Sequence, residues 1–132
     1  MILTVTINPL LERRYSYQSL DLSTVNRNGK LIIKAGGKGI NVNRQLNKLG
    51  VKNIALLFTG GTNGKLLRET LREEKIFFSE IVTKNETRES AIIIDKSDEK
   101  IYSFFGTDTL ISSNEASEFI SKLEKAISTC EI

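Results

Sequence analysis

The chain contains no histidine and a single cysteine, Cys130. A disulfide framework within one chain, a Cys/His metal site and a histidine-based triad are thereby excluded. No metal ligand set is read from the sequence. No apolar stretch approaches the roughly 18 residues needed to cross a bilayer. The opening residues, Met1 to Ile7, have neither a basic segment nor a small-residue cleavage site. The expectation is a cytoplasmic protein without a membrane partner. Long basic runs are missing too: 19 Lys and Arg against 16 Asp and Glu give +3, spread along the chain. Nucleic acid is therefore not implied. A mildly cationic surface suits a phosphorylated metabolite, and equally suits plain solvation.

What is present is 132 residues with 39% hydrophobic content, enough for one domain with a core but short for an enzyme that must hold two substrates. Ile2 to Ile7 is a β-branched, mostly apolar strand bounded by Asn8-Pro9. Between Glu12 and Lys34, the short segments Arg14 to Tyr17 and Leu31 to Lys34 surround the turn residues Asn26, Asn28 and Gly29 and read as an edge flap or lid. Gly36-Gly37-Lys38-Gly39 opens a helix in which Val42, Leu46 and Leu49 form the apolar repeat and Gly50 is the stop. A strand at Asn53 to Phe58 and a Gly60-Gly61 turn follow. The next helix, from about Asn63 to Glu74, turns Leu66, Leu67 and Leu71 inward. The order β-α-β-α indicates an α/β fold.

Ile76 to Val82 reads as a further strand, and Ser90 to Ile94 with Lys100 to Phe105 as a hairpin about Ser97-Asp98. Ser112 and Glu115 form a capping box. It opens a helix whose apolar stripe is Ala116, Phe119, Ile120, Leu123 and Ile127. Such a helix normally leads into another parallel strand, so the chain reads as interrupted, and self-association through the open sheet edge is expected.

Three glycines around Lys38 at a helix start let backbone approach a ligand, with N–H groups and the helix dipole facing it. Asn41, in the first turn, can direct its amide at a hydroxyl. The segment is not a P-loop, because Gly-x-x-x-x-Gly-Lys-Ser/Thr is absent, and Val42 stands at the third glycine position of a dinucleotide fingerprint. A dinucleotide-binding oxidoreductase is disfavoured accordingly. Glu12, after Asn8-Pro9-Leu10-Leu11, falls just past the end of the first strand, the edge where open α/β sheets bind ligands. Arg88 lies at the mouth of a strand, where a guanidinium can clamp a phosphate by two hydrogen bonds. Alone, each would also be explained as a solvated surface charge or an ion pair with a neighbouring glutamate.

Together, Asn8-Pro9-x-x-Glu12, Val25-Asn26-Arg27, Gly36-Gly37-Lys38-Gly39-Ile40-Asn41-Val42, Gly60-Gly61-Thr62-Asn63-Gly64 and Thr87-Arg88 occur in an order and spacing that is specific. The set resembles the PfkB branch of ribokinase-like carbohydrate kinases, particularly 1-phosphofructokinase and tagatose-6-phosphate kinase. The resemblance covers the whole chain, residues 1–132. It implies the N-terminal part of an αβα sandwich with a small β lid from about residues 12 to 34 and 90 to 105. It also implies that Glu12 and Asn41 hold sugar hydroxyls, that Gly36 and Gly37 pack against the sugar, and that Arg88 meets the phosphate. Arg27 and Lys38 are auxiliary phosphate contacts on the same ground.

Two departures accompany the resemblance. The family's usual Asp is Glu12 here, a change of one methylene in a site built for particular hydroxyls. The family's Gly-Ala-Gly-Asp segment, with its catalytic base, and the Ser-Gly-Ser expected after the last helix do not occur in these residues. The implied parent activity is ATP- and Mg2+-dependent phosphorylation of a ketose phosphate, fructose 1-phosphate before tagatose 6-phosphate or fructose 6-phosphate. No catalytic residue is assigned in this chain, and neither ATP nor Mg2+ is expected to bind it tightly. The rival expectation is a non-catalytic fragment that binds sugar phosphate or self-associates.

Overall fold

The computed structural model describes residues 1–130 as two sheets and three helices. The chain runs β1 (Ile2–Thr6), β2 (Leu10–Tyr17), β3 (Lys30–Gly36), α1 (Lys38–Lys48), β4 (Asn53–Gly60), α2 (Gly61–Glu73), β5 (Phe78–Thr83), β6 (Arg88–Asp95), β7 (Lys100–Phe105) and α3 (Ser113–Ile127). Strands β1, β4 and β5 form a parallel sheet with β4 central. That position explains the composition of β4: a strand covered on both faces needs an unbroken apolar run, and Ala55, Leu56, Leu57 and Phe58 are all buried. Ala55 and Leu57 join the main core with Ile40, Leu67 and Leu71, beneath α1 and α2. Leu56 and Phe58 face the other way, where α3 packs through Phe119, its ring stacked on Phe58 with centroids 4.5 Å apart.

The second sheet has the order β3-β2-β6-β7. Its two central strands are parallel and its outer pairs antiparallel. Leu11 and Ala35 turn one face of it into the main core. The opposite face presents the register partners Glu12, Ser90 and Phe105, whose side chains share a side because paired residues do. The β6–β7 hairpin forms where the sequence places it, and β2 and β3 are longer than their polar composition indicates. Arg13, Arg14 and Tyr15 interrupt an apolar pattern, yet β2 is paired on both sides and its backbone bonds are satisfied there.

Two apolar stripes differ from expectation. In α1 the residues turned to the sheet are Ile40 and Asn43, while Val42 and Leu49 are exposed. The helix is held instead by a polar chain that is buried from Thr4 to Asn53 and ends at the exposed Asn47: the Thr4 hydroxyl donates to Asn43 Oδ1 at 2.7 Å, Asn43 Nδ2 to Asn53 Oδ1 at 2.7 Å, and Asn53 Nδ2 to Asn47 Oδ1 at 2.8 Å. Fully satisfied networks of this kind fix register as well as burial. In α3 only Phe119 is buried and Leu123 partly so. Ala116, Ile120 and Ile127 are exposed, because a single helix crossing β5 covers one turn of the stripe.

The capping box of α3 is present. Glu115 donates its backbone N–H to the Ser112 hydroxyl and accepts from the Ser112 N–H. Its carboxylate also accepts from the Lys84 N–H at 3.0 Å, tying α3 to the β5–β6 connection. The Lys84 bond first, and then the Ser112 bond, hold the carboxyl below the usual glutamate range. A depressed carboxyl contributes stability above its unfolded pKa that is lost as pH falls through the folded one. Acidification below about pH 4 should therefore loosen α3 first. Amide exchange in residues 113–127 should rise there in the native chain. In Glu115→Gln it should already be raised at neutral pH and change little on acidification. Equal acid sensitivity in both proteins would show that this carboxylate is not the anchor.

Candidate functional site

A cavity of about 420 Å³ opens where the C-terminal end of β1, the start of α1 and the open face of the second sheet meet. Of the seven sequence-assigned residues, Glu12, Gly37, Lys38, Asn41 and Arg88 line it. Gly36 is buried at its margin, opposite Leu10, and a Cβ there would stand 2.8 Å from Glu12 Oε1. Arg27 is exposed in the β2–β3 connection and is not brought to this cavity.

The rim at α1 is built from glycine for a steric reason. Gly37 has φ of 141°, which L side chains rarely adopt, and a Cβ there would stand 2.6 Å from Thr6 Cγ2. No side chain caps α1 and no acidic residue lies in its first turn. The first N–H groups of the helix are thus free for an anion or a hydroxyl, with the positive end of the dipole behind them. Helix α2 is different. It also lacks a cap of its own at Gly60, but the Glu86 carboxylate accepts from the Asn63 N–H and takes that role. One of its first N–H groups is thereby already engaged within the protein.

Glu12 is not a strand-end surface carboxylate. It is the third residue of β2, with its side chain 18% exposed, and Arg14 Nε donates to its Oε2 at 2.9 Å. One oxygen is therefore engaged, and the carboxylate remains an acceptor towards the cavity. The extra methylene of Glu is accommodated because Gly36, directly alongside, has no side chain to obstruct it.

Arg88 opens β6. Its partners are not the adjacent glutamates: Nη1 donates to Asp108 Oδ1 at 3.1 Å and Nη2 to the Asn8 carbonyl at 3.0 Å. Its Nε is buried without a hydrogen-bond partner. The guanidinium stands over the Phe105 ring, 5.4 Å from the centroid. Asp108 is 73% exposed and also accepts from Asn8 Nδ2, so it holds the arginine loosely from the solvent side. Sequence reasoning missed Asn8 and Phe105 as parts of this site. Asn8 could have been found from its place in the Asn-Pro turn, whereas Phe105 reaches the cavity only through its pairing with Ser90 in the hairpin. A larger cavity of about 570 Å³ near Arg72 and Phe77 has no glycine in its lining.

The pfkB family carbohydrate kinase model matches residues 10–131. The tagatose-6-phosphate kinase of Staphylococcus epidermidis is 33% identical over 132 residues, all of this chain and 42% of the relative. Among solved structures, a possible 1-phosphofructokinase from Thermotoga maritima superposes with a TM-score of 0.90 at 33% identity, over 98% of this chain and 42% of that one. Phosphofructokinase-2 from Escherichia coli, in complex with fructose-6-phosphate, has the same fold, with a TM-score of 0.86 at 22% identity over 94% of this chain and 41% of that one. The chain thus spans about two fifths of the length of the relatives it matches.

Proposed function

The chain belongs to the pfkB family of carbohydrate kinases, and from that premise we propose that it forms the acceptor-binding part of an ATP-dependent sugar-phosphate kinase. The observation that carries the proposal is Arg88 with a buried, unpartnered Nε, in the same cavity as the uncapped start of α1. A buried N–H without a partner costs roughly 1–3 kcal/mol, and a phosphate oxygen is the ligand group that would satisfy it best. The substrate phosphate takes the place of the exposed Asp108 carboxylate on Arg88. Glu12 accepts from a sugar hydroxyl, Asn41 donates to one, and Lys38 adds charge at the rim. Strands from about residues 12 to 34 and 90 to 105 act as the lid.

The preferred acceptor is fructose 1-phosphate, giving fructose 1,6-bisphosphate, with tagatose 6-phosphate and fructose 6-phosphate as the alternatives. The named relatives, a tagatose-6-phosphate kinase and a possible 1-phosphofructokinase, support a phosphorylated ketose as the acceptor class, and the order within it follows the overall resemblance of the motifs. ATP with Mg2+ would supply the phosphoryl group, and with no Gly-Ala-Gly-Asp among these 132 residues no base or nucleotide-binding residue is assigned to them. The reaction takes place in the cytoplasm. Ile101, Phe104 and Phe105 on β7 are each more than half exposed, which supports self-association through the second sheet.

A spectrophotometric assay of the full-length protein carrying this sequence, with MgATP and each sugar phosphate in turn, tests the proposal. The expected order of kcat/KM is fructose 1-phosphate first and unphosphorylated fructose last. The 132-residue chain alone should bind sugar phosphate without turnover, since lacking the base removes about two to four orders of magnitude. Equal rates with fructose and its phosphates would overturn the assignment. Turnover by the 132-residue chain would overturn the division of labour.

A further inference from the structure

We propose that Arg44 is a positioning residue that locks the Asn41 amide with its Nδ2 hydrogens turned to the cavity, so that Asn41 meets the sugar phosphate only as a donor. The proposal rests on the sugar-phosphate reading above. Arg44 lies one turn along α1 from Asn41, on the same side of the helix. Its Nη1 donates to Asn41 Oδ1 at 2.6 Å. The rest of the guanidinium is anchored elsewhere: Nε and Nη2 donate to the Glu74 carboxylate at the end of α2, and Nη2 also donates to the Ala35 carbonyl at the end of β3. Both partners of the Arg44–Glu74 ion pair are largely shielded from solvent.

The chemistry of the guanidinium decides the orientation. It carries five N–H donors and no acceptor, so the Asn41 atom it touches must be the oxygen. The amide nitrogen is left for the cavity that Asn41 lines. Glu12 in the same cavity can only accept, and one of its oxygens is already held by Arg14. The two side chains thus make opposite demands. A hydroxyl group meets both, whereas a carbonyl or ether oxygen meets only Asn41 and an ammonium only Glu12. The Arg44 lock is therefore a device for reading hydroxyl-bearing ligands, built from three elements that meet only in the folded chain.

The full-length protein carrying this sequence, titrated calorimetrically with fructose 1-phosphate and its monodeoxy analogues, provides the test. Arg44→Lys keeps the charge but loses the fork, and should weaken fructose 1-phosphate about fivefold, the effect of one neutral hydrogen bond, with MgATP affinity unchanged. One monodeoxy analogue should be penalised in the native protein but no further in Arg44→Lys, the non-additivity expected of coupled groups. Asn41→Asp keeps the partnership with Arg44 while removing the donor, and should lose sugar-phosphate affinity without a fall in Tm. Unchanged affinities in Arg44→Lys, or parallel losses for fructose 1-phosphate and MgATP together with a lower Tm, would reduce Arg44 to a structural ion pair. If the native protein binds none of the three sugar phosphates, the functional reading fails by itself. The lock is then judged by NMR: slowly exchanging Arg44 Nη protons that become fast in Asn41→Ala support it, and identical exchange in the two proteins overturns it.

Discussion

Replacing Arg88 by alanine in the full-length protein carrying this sequence should raise the KM for the sugar phosphate about tenfold or more, because charge-assisted hydrogen bonds contribute roughly 1.5–3 kcal/mol each. The KM for MgATP should change little. The direction follows from where the guanidinium stands: Nη2 is fixed by the Asn8 carbonyl, the Phe105 ring lies beneath it, and Nε is buried without a partner. These contacts hold the side chain in place before any ligand arrives, so little side-chain entropy is lost on binding. Arg88→Lys should recover only part of the affinity, since an ammonium cannot make the planar two-point contact. Asp108→Asn is the complementary variant. On the proposed reading a phosphate would take the place of the Asp108 carboxylate on Arg88, and neutralising Asp108 should leave binding unchanged or tighten it. Steady-state kinetics with both substrates varied separates the outcomes. An Arg88→Ala protein with a normal KM for sugar phosphate and a raised one for MgATP would assign the cavity to the wrong substrate.

Gly39→Ala should destabilise the protein by about 1–3 kcal/mol, the usual cost of overpacking, although alanine is intrinsically the better helix residue by about 1 kcal/mol. Sterics win because α1 begins almost in contact with β1. A Cβ on Gly39 would stand 2.3 Å from Thr6 Oγ1 and 2.9 Å from the Val5 carbonyl oxygen. Thr6 can rotate away, but Val5 is backbone within a parallel sheet and cannot. The helix start must then lift, moving Lys38 and Asn41 relative to Glu12, so sugar-phosphate affinity should fall together with stability. Thr6→Ala gives an internal control. Its hydroxyl is buried without a partner, so the single variant should cost little. Combined with Gly39→Ala it should restore part of the stability, leaving only the contact with Val5. Denaturant unfolding of the four proteins measures this coupling. Simple additivity of the two substitutions would place the strain somewhere other than the Thr6–Gly39 contact.

Sequence alone determined the features whose physics is local. The capping box of α3 needs only Ser112 and Glu115 three residues apart, and it forms. The glycine run before α1 is legible because only glycine tolerates the backbone of Gly37 and the closeness of Thr6. The turn at Ser97-Asp98 sets the β6–β7 register because its two strands are neighbours in the chain. The family resemblance was legible on the same grounds, through short motifs in a fixed order.

Tertiary structure decided the features that depend on partners far apart in sequence. Helical periodicity could not show that α1 is held by Asn43 and its chain of buried amides instead of Val42 and Leu49, because the partners Thr4 and Asn53 come from other strands. The place of Glu12 inside β2, which is set by pairing with β3 and β6, the loose hold of Asp108 on Arg88 and the Glu86 cap on α2 each depend on residues distant in sequence. Arg44 had no signal at all in the sequence. Its role exists only because Ala35 and Glu74 converge on one guanidinium beside Asn41, and a donor with no acceptor then dictates which atom of that amide the cavity receives.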